Sequence, residues 1–277
     1  MPEIHLDNFP AIRSLFLGLE KTHALIQAAT VGRLPARVFV DDASSPSTGV
    51  IVYKSRILCG GVGSKSGLAR VLSDWFTAEV IPAHINAGND AFLVCYLGEE
   101  WKSVLEEVFK PYKFFHGVRQ YYEINGFQPA ASPALPDGYS IQVISREFLS
   151  SNVKGLEAIR EEMCSERLSV DDFLDHSFGL CPIEDGEIAG WCMSEYNIDQ
   201  RCEIGIATLE KHQRKGIATL AVRHFLVEAY QRGYTCVGWD CWKSNIASGT
   251  TARKAGLRLV EEYPAMVVVL ERDASQN

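Results

Sequence analysis

Short apolar runs of period two alternate along this chain with stretches of helical period, which predicts strands interleaved with helices rather than either alone. The pattern is clearest in the second half. Ile141–Ile144 reads as a strand, and Val153–Arg167 and Asp171–His176 read as amphipathic helices. Phe178–Ile183 and Ile188–Glu195 form a hairpin about Glu184-Asp185-Gly186-Glu187, where Asp-Gly is a strong turn signal. A turn at Asn197–Gln200 leads into the strand Cys202–Leu209. Ile217–Arg232 is helical, with Ile217, Ala221, Phe225 and Ala229 along one face and Leu220, Leu226 and Tyr230 beside them. Thr235–Trp242 is a further strand and Ala247–Lys254 a further helix. Arg258–Glu262 and Met266–Leu270 read as two closing strands around a turn at Tyr263-Pro264.

The first half repeats much of this order. Arg37–Val40, Val50–Tyr53 and Arg56–Cys59 are strand candidates, Gly67–Glu79 a helix, Ala91–Leu97 a strand, Glu100–Phe109 a helix and Val118–Ile124 a last strand. Between the halves, Gln128–Tyr139 (QPAASPALPDGY) carries three prolines and no apolar periodicity, so it reads as a linker. The expected architecture is α/β (α+β) in two units, residues 1–132 and 133–277, that echo one another without a convincing sequence repeat.

Composition narrows the class. At 277 residues, 47% hydrophobic and 22% charged, the chain can bury cores for two globular units. No apolar window is long enough for a membrane helix, and the first residues, MPEIHLDNFP, carry acids rather than the basic flank of a secretory signal. A formal net charge of −8 argues against nucleic acid as a partner, because phosphate neutralisation needs a basic surface. The eight cysteines contain no C-x-x-C and sit mostly inside apolar runs, which fits buried reduced thiols in a cytoplasmic protein. The seven histidines are scattered, and no metal site is expected.

The segment His212–Thr219 (HQRKGIAT) joins the end of a strand to the start of a helix. The first-turn amides of a helix lack intrahelical partners, and the helix dipole adds partial positive charge there. Gly216 admits a ligand close to the backbone, and Arg214 and Lys215 add two cations. Together these make a phosphate cradle. The first half offers Gly60-Gly61-Val62-Gly63-Ser64-Lys65-Ser66-Gly67 at the corresponding place. As a nucleotide P-loop it fails, because Ser64 rather than glycine precedes the lysine and no glycine falls at the required distance.

Gln213-x-x-Gly216-x-Ala218 resembles the Q/R-x-x-G-x-G/A pyrophosphate loop of the GNAT acetyltransferases. The resemblance continues through Asn245, the Ala247–Lys254 helix and Gly256-Leu257, and covers roughly residues 145–272. With VFVDDASSPSTGVIV, EEWKSVLEEVF and WDCWKSN, the whole chain is similar to the branch typified by the zwittermicin A resistance acetyltransferase. This implies a mixed sheet flanked by helices, preceded by a smaller degenerate GNAT-like domain. It also implies acetyl-CoA as co-substrate, no metal, and transfer to a primary amine of a small molecule. By the resemblance, Gln213, Arg214, Lys215, Gly216, Ile217, Ala218 and Thr219 hold the pyrophosphate. Ile206, Ala207 and Thr208 lie along the acetyl group and pantetheine, with a backbone N–H as oxyanion donor. Asn245 both caps its helix and bonds the pantetheine arm.

A base within reach of the amine helps acyl transfer, and the carboxylates on the two central strands are the candidates. Asp240 stands five residues before Asn245, where some members place a glutamate, and Glu203 opens the other strand, where different members place theirs. Asp240 is preferred, provided that it points to the cleft while Trp239 and Cys241 point away. One departure stands out. Many members carry a tyrosine seven residues after the capping asparagine as general acid, and here that position is Ala252. An acid from elsewhere (Cys241, Tyr263 or the other domain), unaided departure of the thiolate, or a binding module without catalysis are then the alternatives.

Overall fold

The protein is described here from a computed structural model that covers residues 1–5, 8–129 and 133–270. Its contacts divide the chain into two compact units, Met1–Arg119 with Glu262–Asn277, and Gln120–Glu261. Packing therefore changes over at Arg119/Gln120 and returns the C-terminal strand to the first unit. Composition marks instead the proline-rich stretch that follows, of which residues 130–132 lie outside the described residues.

In the first unit, β1 (Arg37–Val40), β2 (Thr48–Tyr53) and β3 (Arg56–Gly61) pair antiparallel in order, and β4 (Ala91–Cys95) lies parallel to β3. The connection from β3 to β4 runs through one long helical stretch, Leu68–Asn86, with a π-turn at Phe76–Val80. Pro82 explains the π-turn: it offers no N–H to the helical ladder, and a widened turn just before it absorbs the break. The helix Glu99–Val108 follows β4. Before β1 the chain is already helical in short pieces (Phe9–Ile12, Arg13–Phe16, Leu17–Glu20, Ala24–Thr30), where the sequence reading expects no element. Pro10 and Gly18 chop the periodicity there, yet Phe16, Leu19, Leu25 and Ile26 are all buried. The core is aromatic, with Phe76 edge-on to Phe109 at 4.8 Å and tilted against Trp75 at the same separation.

β5 (Lys113–Asn125) leads into the second unit, whose strands are β6 (Tyr139–Val143), β7 (Gly179–Glu184), β8 (Glu187–Ile188), β9 (Gly190–Ile198), β10 (Arg201–Thr208) and β11 (Cys236–Trp242). Their order is β5-β11-β10-β9-β7-β6, with β8 paired to β7. β10 and β11 are parallel, whereas β6, β7, β9 and β10 pair antiparallel. The β7–β8 hairpin turns on Asp185 and Gly186, whose φ angles of 52° and 75° are those of a two-residue hairpin turn. Helices lie on both faces. Phe225, Ala252 and Leu257 join Cys202, Ile204, Val237 and Trp239 in one cluster, while Phe148, Ile159, Met163 and Phe173 cover Cys181, Trp191 and Met193 on the other.

The last strand corrects the sequence reading. β12 (Arg258–Val269) runs straight through Tyr263-Pro264, with no turn there. On the β4 edge the ladder begins at Ala265 and does not call on the proline's missing N–H.

Candidate functional site: a cavity at the splayed parallel pair

The β10–β11 ladder holds from Arg201↔Cys236 to Ile204↔Trp239 and then stops, although both strands continue. β9 stays paired with β10 as far as Thr208↔Gly190. Beyond Ile204, β10 thus keeps one neighbour and loses the other. Leu209 N donates to Ala189 O at 2.9 Å on the β9 side. The period-two alternation of a strand then turns the N–H groups of Ile206 and Thr208 towards the side that β11 has left.

A cavity of about 750 Å³ occupies this place. Ile206, Ala207 and Thr208 line it in succession, so it follows the β10 edge rather than one sheet face. Gln213, Arg214 and Gly216–Thr219 form one wall, and Trp239 with the helix Ile246–Ala255 forms the other. The sequence reading misses Trp239, Ser248, Thr250, Thr251 and Lys254, since a single motif gives no register for the opposite wall.

Local geometry explains the loop. Gln213 Nε2 donates to Thr208 O at 3.1 Å and ties the loop back to the strand end. Arg214 and Gly216 are both left-handed, with φ of 60° and 81°. Gly216 caps the helix Ile217–Gln231 without a side-chain bond, and a β-carbon there would meet nothing within 4 Å. The first hydrogen bond of that helix is from Leu220 N to Gly216 O, which leaves the amides of Ile217, Ala218 and Thr219 free of helical partners. This is an anion nest with the helix dipole behind it.

Lys215 departs from its expected place. It does not line the cavity: its Nζ lies 3.3 Å from Tyr139 Oη and 3.7 Å from Glu184 Oε2. The hydrogen bond with Tyr139 and the nearby Glu184 raise its pKa. Buried His212 completes this bracket, with Nδ1 3.0 Å from Tyr139 Oη and 3.1 Å from Glu184 Oε2. Asn245 lines the cavity, and its Oδ1 accepts from Ser248 N at 3.1 Å. The Trp239 indole Nε1–H donates to Ser248 Oγ at 3.0 Å, which braces the far wall.

Glu203 and Asp240 do not line the cavity. Val237, Trp239 and Cys241 pack in the cluster beside the Ile217–Gln231 helix, so Gly238 and Asp240 face the other side of the sheet. Glu203 pairs across from Gly238 and Tyr196 and shares that face. Its Oε1 accepts from Arg201 at 2.7 Å, and the same guanidinium nitrogen donates to Tyr121 Oη at 2.9 Å. Burial, and then the charge of Glu203, pushes the Tyr121 phenol far above its ordinary value. Burial works against the Arg201 charge, but Glu203 and Tyr121 outweigh it and its pKa rises.

In the first unit the corresponding loop is filled. Trp101 Nε1 donates to Gly61 O at 3.1 Å, and a β-carbon on Gly63 would lie 3.0 Å from the Trp101 ring. A β-carbon on Gly61 would lie 2.2 Å from Ser47 O. Lys65 Nζ is held by Asp41 Oδ2 at 2.6 Å.

The family model of the GNAT acetyltransferases matches residues 14–266. The chain belongs to that family. It is similar to YdfB, an uncharacterized N-acetyltransferase of Bacillus subtilis (strain 168), at 24% identity over 233 residues, 83% of this chain and 84% of the relative. A GCN5-related N-acetyltransferase-like protein of Streptococcus suis 89/1591 has the same fold, with a TM-score of 0.71, 18% identity and coverage of 95% and 98% of the two chains. A GCN5-related N-acetyltransferase of Sphaerobacter thermophilus follows at 0.65, with 15% identity and coverage of 98% and 95%. This GNAT chain has the mixed sheet flanked by helices that its motifs imply. Among the described residues no helix is long and apolar enough to cross a membrane, and no three His, Cys, Asp or Glu side chains are grouped as a metal ion needs.

Proposed function

We propose that the protein transfers the acetyl group of acetyl-CoA to a primary amine of a small molecule. The observation that carries this reading is the parting of β10 from β11 beside a helix N-terminus, in one continuous cavity. The pyrophosphate sits on the amides of Arg214–Thr219. Gln213 acts through the loop it fastens, and Lys215 from behind it. The pantetheine lies along Ile206, Ala207 and Thr208. Asn245, whose Oδ1 serves the cap, offers its Nδ2 to the arm.

At the parting point the N–H groups of Ile206 and Thr208 face the thioester, and one such donor is worth on the order of a hundredfold in rate. The amine then approaches from the face that holds Glu203 and Asp240. Asp240, five residues before Asn245, is the base in this reading, and Glu203 with Arg201 and Tyr121 fixes the strand beside it. Neither Cys241 nor Ala252 lines the cavity, and alanine has no proton to give the leaving group. The thiolate departs without one, which its modest basicity allows.

The first unit, with β3–loop–helix–β4–helix in the order of β10–loop–helix–β11–helix, is a degenerate GNAT-like half without a cofactor site. An aminopolyol antibiotic of the zwittermicin type is one acceptor that fits the branch resemblance, and the protein acts in the cytoplasm.

Incubation with acetyl-CoA and a panel of primary amines, followed by free thiol, tests the reading. Release of CoA matched by an acetylated amine is expected. CoA binding without transfer to any amine would overturn it in favour of an inert acyl-CoA-binding module, for which the buried Ala252 is the supporting observation.

A further inference from the structure

The basic side chains around the cavity fall into two groups. Lys211 is engaged by Glu187 at 2.5 Å, Lys215 by Tyr139 and Glu184, and Arg253 by Tyr122 Oη at 2.7 Å. None of these three lines the cavity. Arg214 and Lys254 both line it, and neither side chain makes a hydrogen bond or ion pair with a described residue. They stand on opposite walls: Arg214 in the cradle loop, and Lys254 in the last turn of the Ile246–Ala255 helix. The Lys254 backbone is fixed, because its carbonyl accepts from Arg223 at 2.9 Å.

Two uncommitted cations on facing walls match a ligand with two separate anionic groups. The cradle amides and Arg214 account for a diphosphate. Lys254, a compact point charge on a flexible stem, suits a terminal phosphate monoester, which carries more charge than either phosphate of a diphosphate. We propose that Lys254 recognises the 3′-phosphate of CoA, and so sets the preference of this protein for CoA over dephospho-CoA. The inference rests on the cradle reading above and goes beyond it. It assigns a specificity role to a side chain at the end of the Ile246–Ala255 helix, across the cavity from the cradle.

Binding of CoA and of dephospho-CoA to the full chain, measured by calorimetry at low and high salt, tests it. Both cations are exposed, so Lys254→Gln and Arg214→Gln leave the fold intact. The wild type should prefer CoA by about three- to tenfold at low salt, and by less at high salt, as expected for a surface charge. Lys254→Gln should lose the preference by weakening CoA alone, with dephospho-CoA unchanged. Arg214→Gln should weaken both ligands by the same factor and keep the preference. Equal wild-type affinity for the two ligands, or an equal loss for both in Lys254→Gln, overturns the Lys254 assignment while the cradle stands. If the wild type binds neither ligand, the cradle reading itself falls, and the Lys254 assignment falls with it.

Discussion

Tyr121 Oη occupies the space that a side chain at Gly238 would need: an ideal β-carbon there lies 2.0 Å from the phenol oxygen and 3.0 Å from Glu203 Cγ. The missing side chain on β11 lets a buried tyrosine reach Arg201 and, through it, Glu203. Gly238→Ala therefore forces the Tyr121 ring or the strand to move. Overpacking of this kind costs about 1–3 kcal/mol. A lower midpoint in chemical denaturation checks it, and Gly238→Ala with Tyr121→Phe should recover little, because the ring itself is in the way.

At Gly216 space and conformation come apart. Nothing lies within 4 Å of the added carbon, but φ is 81°. Gly216→Ala and Gly216→Glu should each lose about 1–2 kcal/mol to the left-handed backbone. Only the glutamate also sets a negative charge in the anion nest. CoA binding by calorimetry should survive in the alanine variant with modest weakening and vanish in the glutamate variant. Unchanged affinity in a folded Gly216→Glu protein would sink the cradle reading.

Titration with CoA should give one site per chain. The Gly60–Gly67 loop offers no second one, since Trp101 and Ser47 pack against Gly61 and Gly63 and Asp41 holds Lys65. A stoichiometry of two would show that this packing opens.

Asp41 gives a pH dependence. Burial opposes its charge, but hydrogen bonds from Lys65, Ser47 and Thr48 outweigh burial and hold its pKa well below the ordinary 3.8. A folded value below the unfolded one means that its stabilisation is fully present above about pH 4 and is lost as pH falls from there. Asp41→Asn should lower stability at neutral pH and flatten the acid limb of the stability curve. An acid limb identical to the wild type would assign the loss to other carboxylates.

Much of this was legible in the sequence, for physical reasons. The Asp185-Gly186 turn, the helix begun at Ile217 and the cap at Asn245 follow from local rules, so short windows contain them. The strand–loop–helix junction at Gln213–Gly216 is legible for the same reason. The short helices before β1 were not, because their burial depends on residues distant in sequence, as the 2.5 Å approach of a Gly18 β-carbon to Leu97 shows. Nor was the direction of Lys215, which Tyr139 and Glu184 decide from other strands. Tyr263-Pro264 predicts a turn by local rules, yet β12 continues through it, since proline breaks a strand only where a ladder needs its N–H.

The carboxylates of Asp240 and Glu203 share one face of the sheet. The sequence favours Asp240 as a base provided that it faces the cleft and Trp239 does not. Trp239 lines the cavity instead, and Asp240 faces the other side of the sheet. That placement suits a base only if the acetyl end threads between β10 and β11 to meet an amine from the far face, which the cavity running along the β10 edge permits. Asp240→Asn should then lower turnover by about a hundredfold, the scale of a general base, with CoA affinity almost unchanged. Glu203→Gln should behave differently. It leaves Arg201 charged and largely buried without its carboxylate, a loss of about 3–5 kcal/mol of stability. Its turnover should fall only as far as the folded fraction falls. If Asp240→Asn keeps full rate while folded Glu203→Gln does not, the roles are reversed. If both keep full rate, the amine arrives neutral and positioning alone carries the reaction.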